Sequence, residues 1–370
     1  MDFTTLLLAW YHENKRDLPW KKTQDPYPVW VSEVILQQTR VGQGTDYIRK
    51  FLETFPTVRP LAAAQEDEVL KLWQGLGYYS RARNMHKAAK KLMEEYNGKF
   101  PADVTLLRNL QGIGEYTAAA IASFAYGLPV AALDGNGYRI LARFFGIDLE
   151  VGTTRAKKVF SNLAGSLVPT HDSASFNQAM MDFGSLVCTP RPVCALCPMT
   201  KQCIAWNKGL TDILPVKKGK KLSRNRHFNY LHIVFGETTF IRQRQGNDIW
   251  KGLYEFPLIE TTDETGFTEL ARTEPFIRLL GSSSFTLTDT LKLSQHKLTH
   301  QTIHPVFFRV TIQSAGPVSV SYTHLRAHET PEHLECRLLL ETTNNVVYDT
   351  QSVGPHLQSF NLDPLRSYGQ

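Results

Sequence analysis

Four of the five cysteines of this 370-residue chain lie within sixteen residues of one another, and none occurs before residue 188. They are spaced C-x5-C-x2-C-x5-C, at Cys188, Cys194, Cys197 and Cys203. Disulfide frameworks are spread along small secreted chains, whereas dense cysteines in a long chain are typical of metal or cluster ligands in a reducing cytoplasm. Four thiolates suit either a [4Fe–4S] cluster or tetrahedral zinc, and cysteine chemistry alone does not choose between them.

The composition is that of a globular protein long enough for two domains. The chain is 42% hydrophobic and carries a net charge of +6, which permits a nucleic-acid partner without requiring one. It has no apolar run long enough to span a bilayer. The apolar residues near its N-terminus recur at helical spacing without a basic start or a cleavage site, which predicts an amphipathic helix and not a signal peptide. We therefore expect no membrane partner.

The pattern of the chain changes once along its length. Residues 1–210 have the apolar spacing of helices, and residues 211–227 form a basic linker broken by Pro215 and Gly219. From residue 228 the runs YLHIVF, TFIRQR and IHPVFFRVTI are rich in β-branched and aromatic residues, which predicts an α+β domain over 228–318. Residues 319–370 resemble translated sequencing-adaptor sequence, so we interpret them as a non-native tail, and Cys336 within them is assigned no role.

A short glycine loop precedes an alanine-rich stretch. Gly112 and Gly114 flank one isoleucine in LQGIGEYTAAAI, and glycines allow a tight turn whose N–H groups at a helix start can bind an anion such as a DNA phosphate. This signal is weak alone, because the same motif is common as a simple turn.

The longer segments carry a family resemblance. LQGIGEYTAAAI (110–121) and DGNGYRILAR (134–143) resemble the helix–hairpin–helix base-excision DNA glycosylases. RDLPW (16–20) and WVSEVILQQT (30–39) resemble the adenine-specific, or MutY, branch. The resemblance covers residues 1–312. It implies a multi-domain fold: an all-α helix–hairpin–helix glycosylase with an iron–sulfur cluster loop, followed by an α+β Nudix-like domain that recognises 8-oxoguanine.

The resemblance also assigns the chemistry to two carboxyl groups. Glu33 corresponds to the general acid, and its apolar neighbours would desolvate it and raise its pKa. Asp134 corresponds to the anion that stabilises the deoxyribose, and a position before a helix would favour its charged form. Tyr116 stands where bifunctional relatives carry a nucleophilic lysine, so we expect no Schiff base, and we expect its hydroxyl to bond near the sugar and Asp134. Taken singly, each carboxyl has a structural alternative: Glu33 as an exposed helix residue and Asp134 as a simple helix cap.

Further residues correspond to DNA contacts in the family. Gln38 and Thr39 match a wedge, Tyr78 matches the residue that intercalates beside 8-oxoguanine, and Gln178 lies near the adenine pocket. Without the motif, core packing would be the better interpretation of Tyr78. In the second domain, the segment that matches the 8-oxoguanine-recognition loop is Leu298, Thr299 and His300. A histidine on the surface is the structural alternative for His300.

The resemblance favours a [4Fe–4S] cluster over zinc at the four cysteines, although the first gap is one residue shorter than the usual C-x6-C. A second departure is Gly137 in place of the usual valine, which should weaken the helix start by about 0.5–1 kcal/mol relative to alanine. The family fold predicts a six-helix module at about 26–129 and a cluster module formed by 1–25 and 130–210. Glu33 and Asp134 would then face a cleft from opposite sides.

The sequence therefore predicts a monomeric bacterial enzyme of the cytoplasm and nucleoid, acting on double-stranded DNA that contains 8-oxoguanine:adenine mispairs. Three alternatives remain. The first is a thymine- or lesion-specific glycosylase of the same superfamily, which WVSEVILQQT and Tyr116 argue against. The second is a non-catalytic DNA-binding homologue, which the presence of both Glu33 and Asp134 argues against. The third is a zinc-stabilised binding module, which a brown protein would exclude.

Overall fold

The computed structural model describes residues 2–217, 219, 223–246, 248–281, 283–298, 300–314 and 323–326. The chain divides into two compact units, Met1–Gly219 and Lys220–Gln370. The division falls within residues 211–227, the segment with the composition of a linker.

The first unit is built from helices. Its α-helices are α1 (Phe3–Asn14), α2 (Pro26–Ile35), α3 (Val41–Thr54), α4 (Val58–Ala63), α5 (Glu66–Leu72), α6 (Ser80–Tyr96), α7 (Val104–Arg108), α8 (Glu115–Tyr126), α9 (Gly135–Phe145), α10 (Thr154–Leu167), α11 (Ser173–Leu186) and α12 (Ile204–Asn207). Two 3-10 helices, Pro19–Lys22 and Cys194–Leu196, lie between them.

The N-terminal helix belongs to the core of the second half of this unit. Asp2 caps α1 by accepting a hydrogen bond from the backbone N–H of Thr5 at 2.8 Å. Phe3, Leu7 and Tyr11 are buried on one face of α1 and share a core with α9, α10 and α11. The spacing of four residues between them fits the helical period that the sequence shows.

The helix α2 is buried around most of its circumference. Asp25 caps it by accepting a hydrogen bond from the backbone N–H of Tyr27 at 2.9 Å, and Pro26 occupies the first helical position, where its missing N–H costs nothing. Most of its side chains are buried, namely Tyr27, Val29, Trp30, Val31, Ser32, Glu33, Val34 and Ile35. Because α2 packs directly against α8, a carboxyl on α2 is carried into the interior of the unit.

The predicted glycine loop joins α7 and α8 into a helix–hairpin–helix. Gly112 has a φ of +78°, and a Cβ there would lie 2.6 Å from the Cβ of Asn84, so only glycine fits. Gly114 caps α8 in an extended conformation and faces open space. Gly112 is therefore required by the turn and by the neighbouring α6, whereas Gly114 leaves the first N–H groups of α8 accessible.

The second unit is a mixed sheet with two short helices. Its elements are β1 (Arg224–Phe235), β2 (Thr238–Gln243), β3 (Tyr254–Glu255), β4 (Leu258–Thr261), α13 (Phe267–Leu270), α14 (Glu274–Leu280), β5 (Phe285–Lys292), β6 (His296–Lys297), β7 (Gln301–Ile312) and β8 (Thr323–Arg326). The main strand order is β3-β2-β1-β7-β5, with β4 also paired to β1, β6 to β7 and β8 to β2.

The two long strands of this unit run parallel, and every other strand pair is antiparallel among the described residues. In this register Leu231 lies opposite Phe308 and Ile233 opposite Val310. These four side chains form one apolar face that α13 and α14 cover. The alternation of apolar residues seen in the sequence therefore places one face of the sheet in the core.

The segment interpreted as a non-native tail contributes one strand to the described structure. Thr323–Arg326 pairs with Thr238–Ile241 of β2, a pairing that the sequence did not lead us to expect. The rest of residues 319–370, including Cys336, lies outside the described residues. Within the described part of the chain, no helix combines the length and apolarity needed to cross a membrane.

Candidate active site

The centre of the first unit contains a buried acid bonded to a tyrosine. Glu33 is 9% exposed, and the hydroxyl of Tyr116, on α8, donates a hydrogen bond to its Oε2 at 2.6 Å. Burial raises the pKa of Glu33 to about 7, the Tyr116 hydrogen bond opposes that rise, and the nearby Asp134 charge adds to it. A carboxyl with this pKa is protonated in a large fraction of molecules at neutral pH and can act as a general acid.

The structure therefore places Tyr116 differently from our expectation. Its hydrogen bond goes to Glu33, whereas the sequence led us to expect one toward Asp134. The reason is the direct packing of α2 on α8, which a comparison of motifs along the chain does not reveal. Burial, followed by the charge of Glu33, raises the pKa of Tyr116 well above its usual value, so the tyrosine remains a hydrogen-bond donor.

Asp134 is the N-cap of α9. Its Oδ1 accepts the backbone N–H of Gly137 at 2.8 Å, and its Oδ2 accepts the side-chain N–H of Asn136 at 2.7 Å. Two charge-assisted hydrogen bonds and the helix N-terminus all stabilise a negative charge here. Asp134 comes from the start of α9 and Glu33 from α2, so the two carboxyls reach the site from different elements.

A second group of charges lies beside the acid, and motif comparison alone did not single it out. Asp182 on α11 is fully buried and pairs with Arg16 at 2.6 Å and with Lys21 at 2.7 Å. The ammonium of Lys21 interacts with Glu33 and lowers its pKa, opposing the effect of burial. Arg16 and Lys21 are the first and last residues of the segment RDLPWK, so the relevant signal was the basic residue at each end of that segment.

Gln178 is linked to this group of charges through Tyr11. Its Oε1 accepts the hydroxyl of Tyr11 at 2.6 Å, and the ammonium of Lys21 lies 5.7 Å from the centre of the Tyr11 ring. Gln178 is half-buried on α11. The structure thus connects Gln178 to the neighbourhood of Glu33 through two intervening side chains.

Two of the three residues proposed to enter the duplex, Gln38 and Tyr78, are exposed. Gln38 follows α2 with a φ of +57°, and Tyr78 precedes α6 with a φ of +49°. Tyr78 is 55% exposed, which excludes core packing for it, whereas its neighbour Tyr79 is buried. Thr39 is half-buried, and the side-chain amide of Gln37, which the sequence did not single out, donates to the hydroxyl of Thr117 on α8 at 3.3 Å.

The four cysteines lie in one loop next to α9. Arg143 on α9 donates to the sulfur of Cys188 at 3.6 Å and to the carbonyl oxygens of Thr189 and Pro190 at 2.6 and 3.0 Å. Cys197 interacts electrostatically with the other three thiols, and burial raises its pKa to about 11. Four sulfur donors beside an arginine suit a thiolate-ligated cluster, although among the described residues no three His, Cys, Asp or Glu side chains are close enough to hold a metal ion as they stand.

A chain of hydrogen bonds connects this loop to Asp134. Asn136 donates to Asp134 and accepts a hydrogen bond from Arg139 at 2.6 Å, and Arg139 donates in turn to the backbone oxygen of Cys188 at 2.7 Å. Gly184 packs so closely on Asn136 that a Cβ there would lie 2.4 Å from the Asn136 Cβ. Asp134 is thus connected to the cysteine loop through Asn136 and Arg139.

The segment that the sequence analysis matches to 8-oxoguanine recognition falls between β6 and β7, and the structure describes Leu298 and His300 of it. The N–H of Leu298 donates to the carbonyl of Gln301 at 2.8 Å, and Leu298 is half-buried against the cluster that contains Tyr230. His300 is exposed, and its carbonyl accepts the N–H of Arg224 at 3.1 Å. Thr299 lies outside the described residues.

Comparison with known proteins agrees with this arrangement. Residues 31–164 match the HhH-GPD superfamily of base excision DNA repair proteins, and residues 229–337 match the NUDIX domain. The chain is 37% identical over 310 residues to an adenine DNA glycosylase of Buchnera aphidicola subsp. Schizaphis graminum, covering 82% of this chain and 85% of that one. It is 42% identical over 213 residues to the adenine DNA glycosylase of Homo sapiens, covering 55% and 39%.

A solved structure of a thermostable thymine-DNA glycosylase is also similar. It has a TM-score of 0.52 and 29% identity, and the match covers 56% of this chain and 95% of that one. The share of this chain that is covered is close to the share that the helical unit occupies.

Proposed function

The chain belongs to the adenine DNA glycosylase family, and from this premise we propose that it is a monofunctional enzyme that removes adenine mispaired with 8-oxoguanine or guanine in duplex DNA. The observation that carries the proposal is the buried carboxyl of Glu33, with a pKa of about 7, beside the hydrogen-bonded Asp134. The family establishes a base-excision glycosylase acting on adenine. The base opposite the adenine, and the restriction to base removal without strand cleavage, are our inference.

In the proposed reaction the adenine leaves the base stack and enters the cleft. Protonated Glu33 donates its proton to N7 of adenine, and the glycosidic bond breaks with its electrons going to the base. Positive charge develops on the deoxyribose, and the Asp134 carboxylate stabilises it. Glu33, now ionised, accepts a proton from the attacking water and is ready for another cycle.

The presence of a tyrosine at position 116 is the reason we expect no strand cleavage. A phenol cannot form the imine that a lysine would form at the same position. Its role here is to donate a hydrogen bond to Glu33 as the carboxyl loses its proton. The product is therefore an intact strand with an abasic site.

We assign recognition of 8-oxoguanine to the segment Leu298, Thr299 and His300. His300 is exposed, and backbone hydrogen bonds hold both Leu298 and His300, which suits contact with a partner. We expect His300→Ala to reduce the preference for adenine opposite 8-oxoguanine over adenine opposite guanine. Lys297→Ala, at the adjacent exposed position of β6, is the matched control.

The four cysteines would hold a [4Fe–4S] cluster with a structural role, since hydrolysis needs no redox step. Support comes from the four sulfur donors, their mutual electrostatic interaction and the Arg143 N–H directed at Cys188. Iron and sulfide analysis of the purified protein tests this assignment. Zinc in place of iron, or iron content unchanged in Cys188→Ser, would contradict it.

The test of the reaction is single-turnover adenine release from a duplex with adenine opposite 8-oxoguanine. Wild type should release adenine and leave the strand intact until alkali is added, whereas Glu33→Gln should bind the duplex without releasing the base. Glu94→Gln makes the same substitution at an exposed position and should retain activity. Release by Glu33→Gln at the wild-type rate, or strand cleavage before alkali, would refute the proposed mechanism.

A further inference from the structure

Arg81, in the first turn of α6, lies between the two loops that carry Gln38 and Tyr78. Its two terminal nitrogens donate hydrogen bonds to five backbone carbonyl oxygens, those of Val34, Ile35, Gln37, Leu76 and Gly77. The distance is 2.9 Å to Val34 and 3.3 Å to Gly77. One guanidinium group therefore contacts both the end of the helix that carries the acid and the turn that precedes Tyr78.

Val34 and Ile35 lie in the last turn of α2, and Gln37 follows just after the helix ends. Carbonyl groups in the last turn of a helix have no partner within the helix, and a cation placed there is favourable. The planar fork of arginine can serve several acceptors at once, whereas the compact ammonium of lysine cannot cover two separate loops. Arg81 thus fixes the backbone where the chain leaves the end of α2 and continues to Gln38.

The guanidinium group also lies near two aromatic rings. It lies 5.3 Å from the centre of the Trp73 ring and 5.6 Å from that of Tyr78. The indole N–H of Trp73 donates to the carbonyl of Gly77 at 3.1 Å, so the same turn is held from two directions. Gly75 in this turn has a φ of +90°, and a Cβ there would lie 2.6 Å from the Tyr47 hydroxyl.

Two of the three residues proposed to enter the duplex, Gln38 and Tyr78, have backbones that need such support. Gln38 and Tyr78 have left-handed φ angles, which cost a residue with a side chain free energy unless the surrounding structure imposes them. The Nε of Arg81 is buried and has no hydrogen-bond partner within the part of the chain that the structure describes. An unpaired buried N–H costs free energy, and the hydrogen bonds of the two terminal nitrogens compensate for that cost.

We propose that Arg81 is a positioning residue that fixes Gln38 and Tyr78 relative to each other, so that the two enter the base stack as one unit when a mispair is opened. The inference rests on the insertion roles assigned above to Gln38 and Tyr78. Arg81 touches no reacting atom in this scheme. Its loss should impair opening of the mispair and leave the acid–base chemistry of Glu33 unchanged.

The experiment measures opening and chemistry separately in the full-length protein. A duplex with 2-aminopurine beside the mispair reports unstacking by its fluorescence, and single-turnover release across a pH range reports the chemistry. The variants are Arg81→Lys, Tyr78→Ala, Gln38→Ala and the double variant Arg81→Lys/Tyr78→Ala. Arg49→Lys, at an exposed ion pair on α3, is the matched control, and thermal unfolding checks that each variant is folded.

Arg81→Lys should lower the release rate about tenfold, the effect of losing a charged hydrogen bond that matters only for opening. The fluorescence rise should fall in parallel, and the pH midpoint of release should not move. In the Tyr78→Ala background the same substitution should cost much less, because one of the two residues that Arg81 holds together is already gone and no joint insertion is left to lose. A general loss of structure would instead cost the same in both backgrounds.

Three results would overturn the inference. Equal effects of Arg81→Lys in both backgrounds would mean that it acts independently of Tyr78. A shifted pH midpoint with normal fluorescence would mean that it acts through Glu33. If Tyr78→Ala and Gln38→Ala themselves left unstacking unchanged, the insertion roles on which the inference rests would fail, while adenine release by wild type would still support the proposed reaction.

Discussion

Replacing Tyr116 with phenylalanine removes the hydroxyl that donates to Glu33 at 2.6 Å and leaves the ring in place. A hydrogen bond to a charged group contributes about 1.5–3 kcal/mol. Because 1.36 kcal/mol corresponds to a change of roughly one in pKa, losing this bond should raise the pKa of Glu33 by about 1–2. The starting value is about 7, so the acid in the variant should remain protonated through pH 7 and into the mildly alkaline range.

The sign of this effect follows from the hydrogen bond, which lowers the pKa of Glu33 by favouring the carboxylate. Single-turnover adenine release should fall as pH rises through about 7 in wild type, because the general acid is lost by ionisation. In Tyr116→Phe the fall should begin at higher pH. If the pKa of Glu33 rises by about one, the ratio of variant to wild-type rate should increase about tenfold from acidic to alkaline pH, whatever happens to the plateau rate.

Tyr126→Phe is the matched control. It makes the same substitution on the same helix, α8, where the hydroxyl donates instead to the backbone oxygen of Phe100 at 2.7 Å. Its pH profile should coincide with that of wild type. If the pH midpoint of adenine release in Tyr116→Phe is unchanged or lies at lower pH, Glu33 is not the group whose protonation controls release.

Three other substitutions give independent checks. Asp134→Asn should nearly abolish adenine release while duplex binding remains, and any residual release should have its pH midpoint at lower pH, because the Asp134 charge raises the pKa of Glu33. Lys21→Met should move the midpoint to higher pH, because the ammonium lowers the same pKa; an unchanged profile in a folded variant would contradict that interaction. Gly137→Ala should raise the free energy of unfolding by about 0.5 kcal/mol, as measured by denaturant unfolding, because helix propensity improves and the nearest atom, Cδ2 of Leu133 at 2.9 Å, is the mobile end of a side chain. A loss of stability in this variant would mean that Leu133 cannot move.

The fold class predicted from the sequence is confirmed: a helical glycosylase domain precedes a Nudix-like domain with a mixed sheet. Helical spacing of apolar residues and β-branched alternation are local signals, and each persists over many residues in this chain. The adenine-specific family is confirmed as well. The strand Thr323–Arg326 was not expected, because its partner β2 lies about eighty residues earlier and no local pattern reports such a pairing.

For the site, the sequence by itself determined which residue types are present: an acid among apolar neighbours at Glu33, an acid before a glycine-rich helix start at Asp134, and a tyrosine in place of lysine at Tyr116. These are properties of short segments, so short motifs suffice to find them. The buried environment that raises the pKa of Glu33 follows in the same way from the apolar side chains of α2 around it.

Only the tertiary structure decided which of these groups meet. It directs the Tyr116 hydroxyl to Glu33, brings Asp182 and Lys21 beside the acid from α11 and a 3-10 helix, and places Arg81 between two loops about forty residues apart in sequence. Hydrogen bonds and ion pairs act over a few ångströms, and helix packing sets those distances between residues that no local pattern connects.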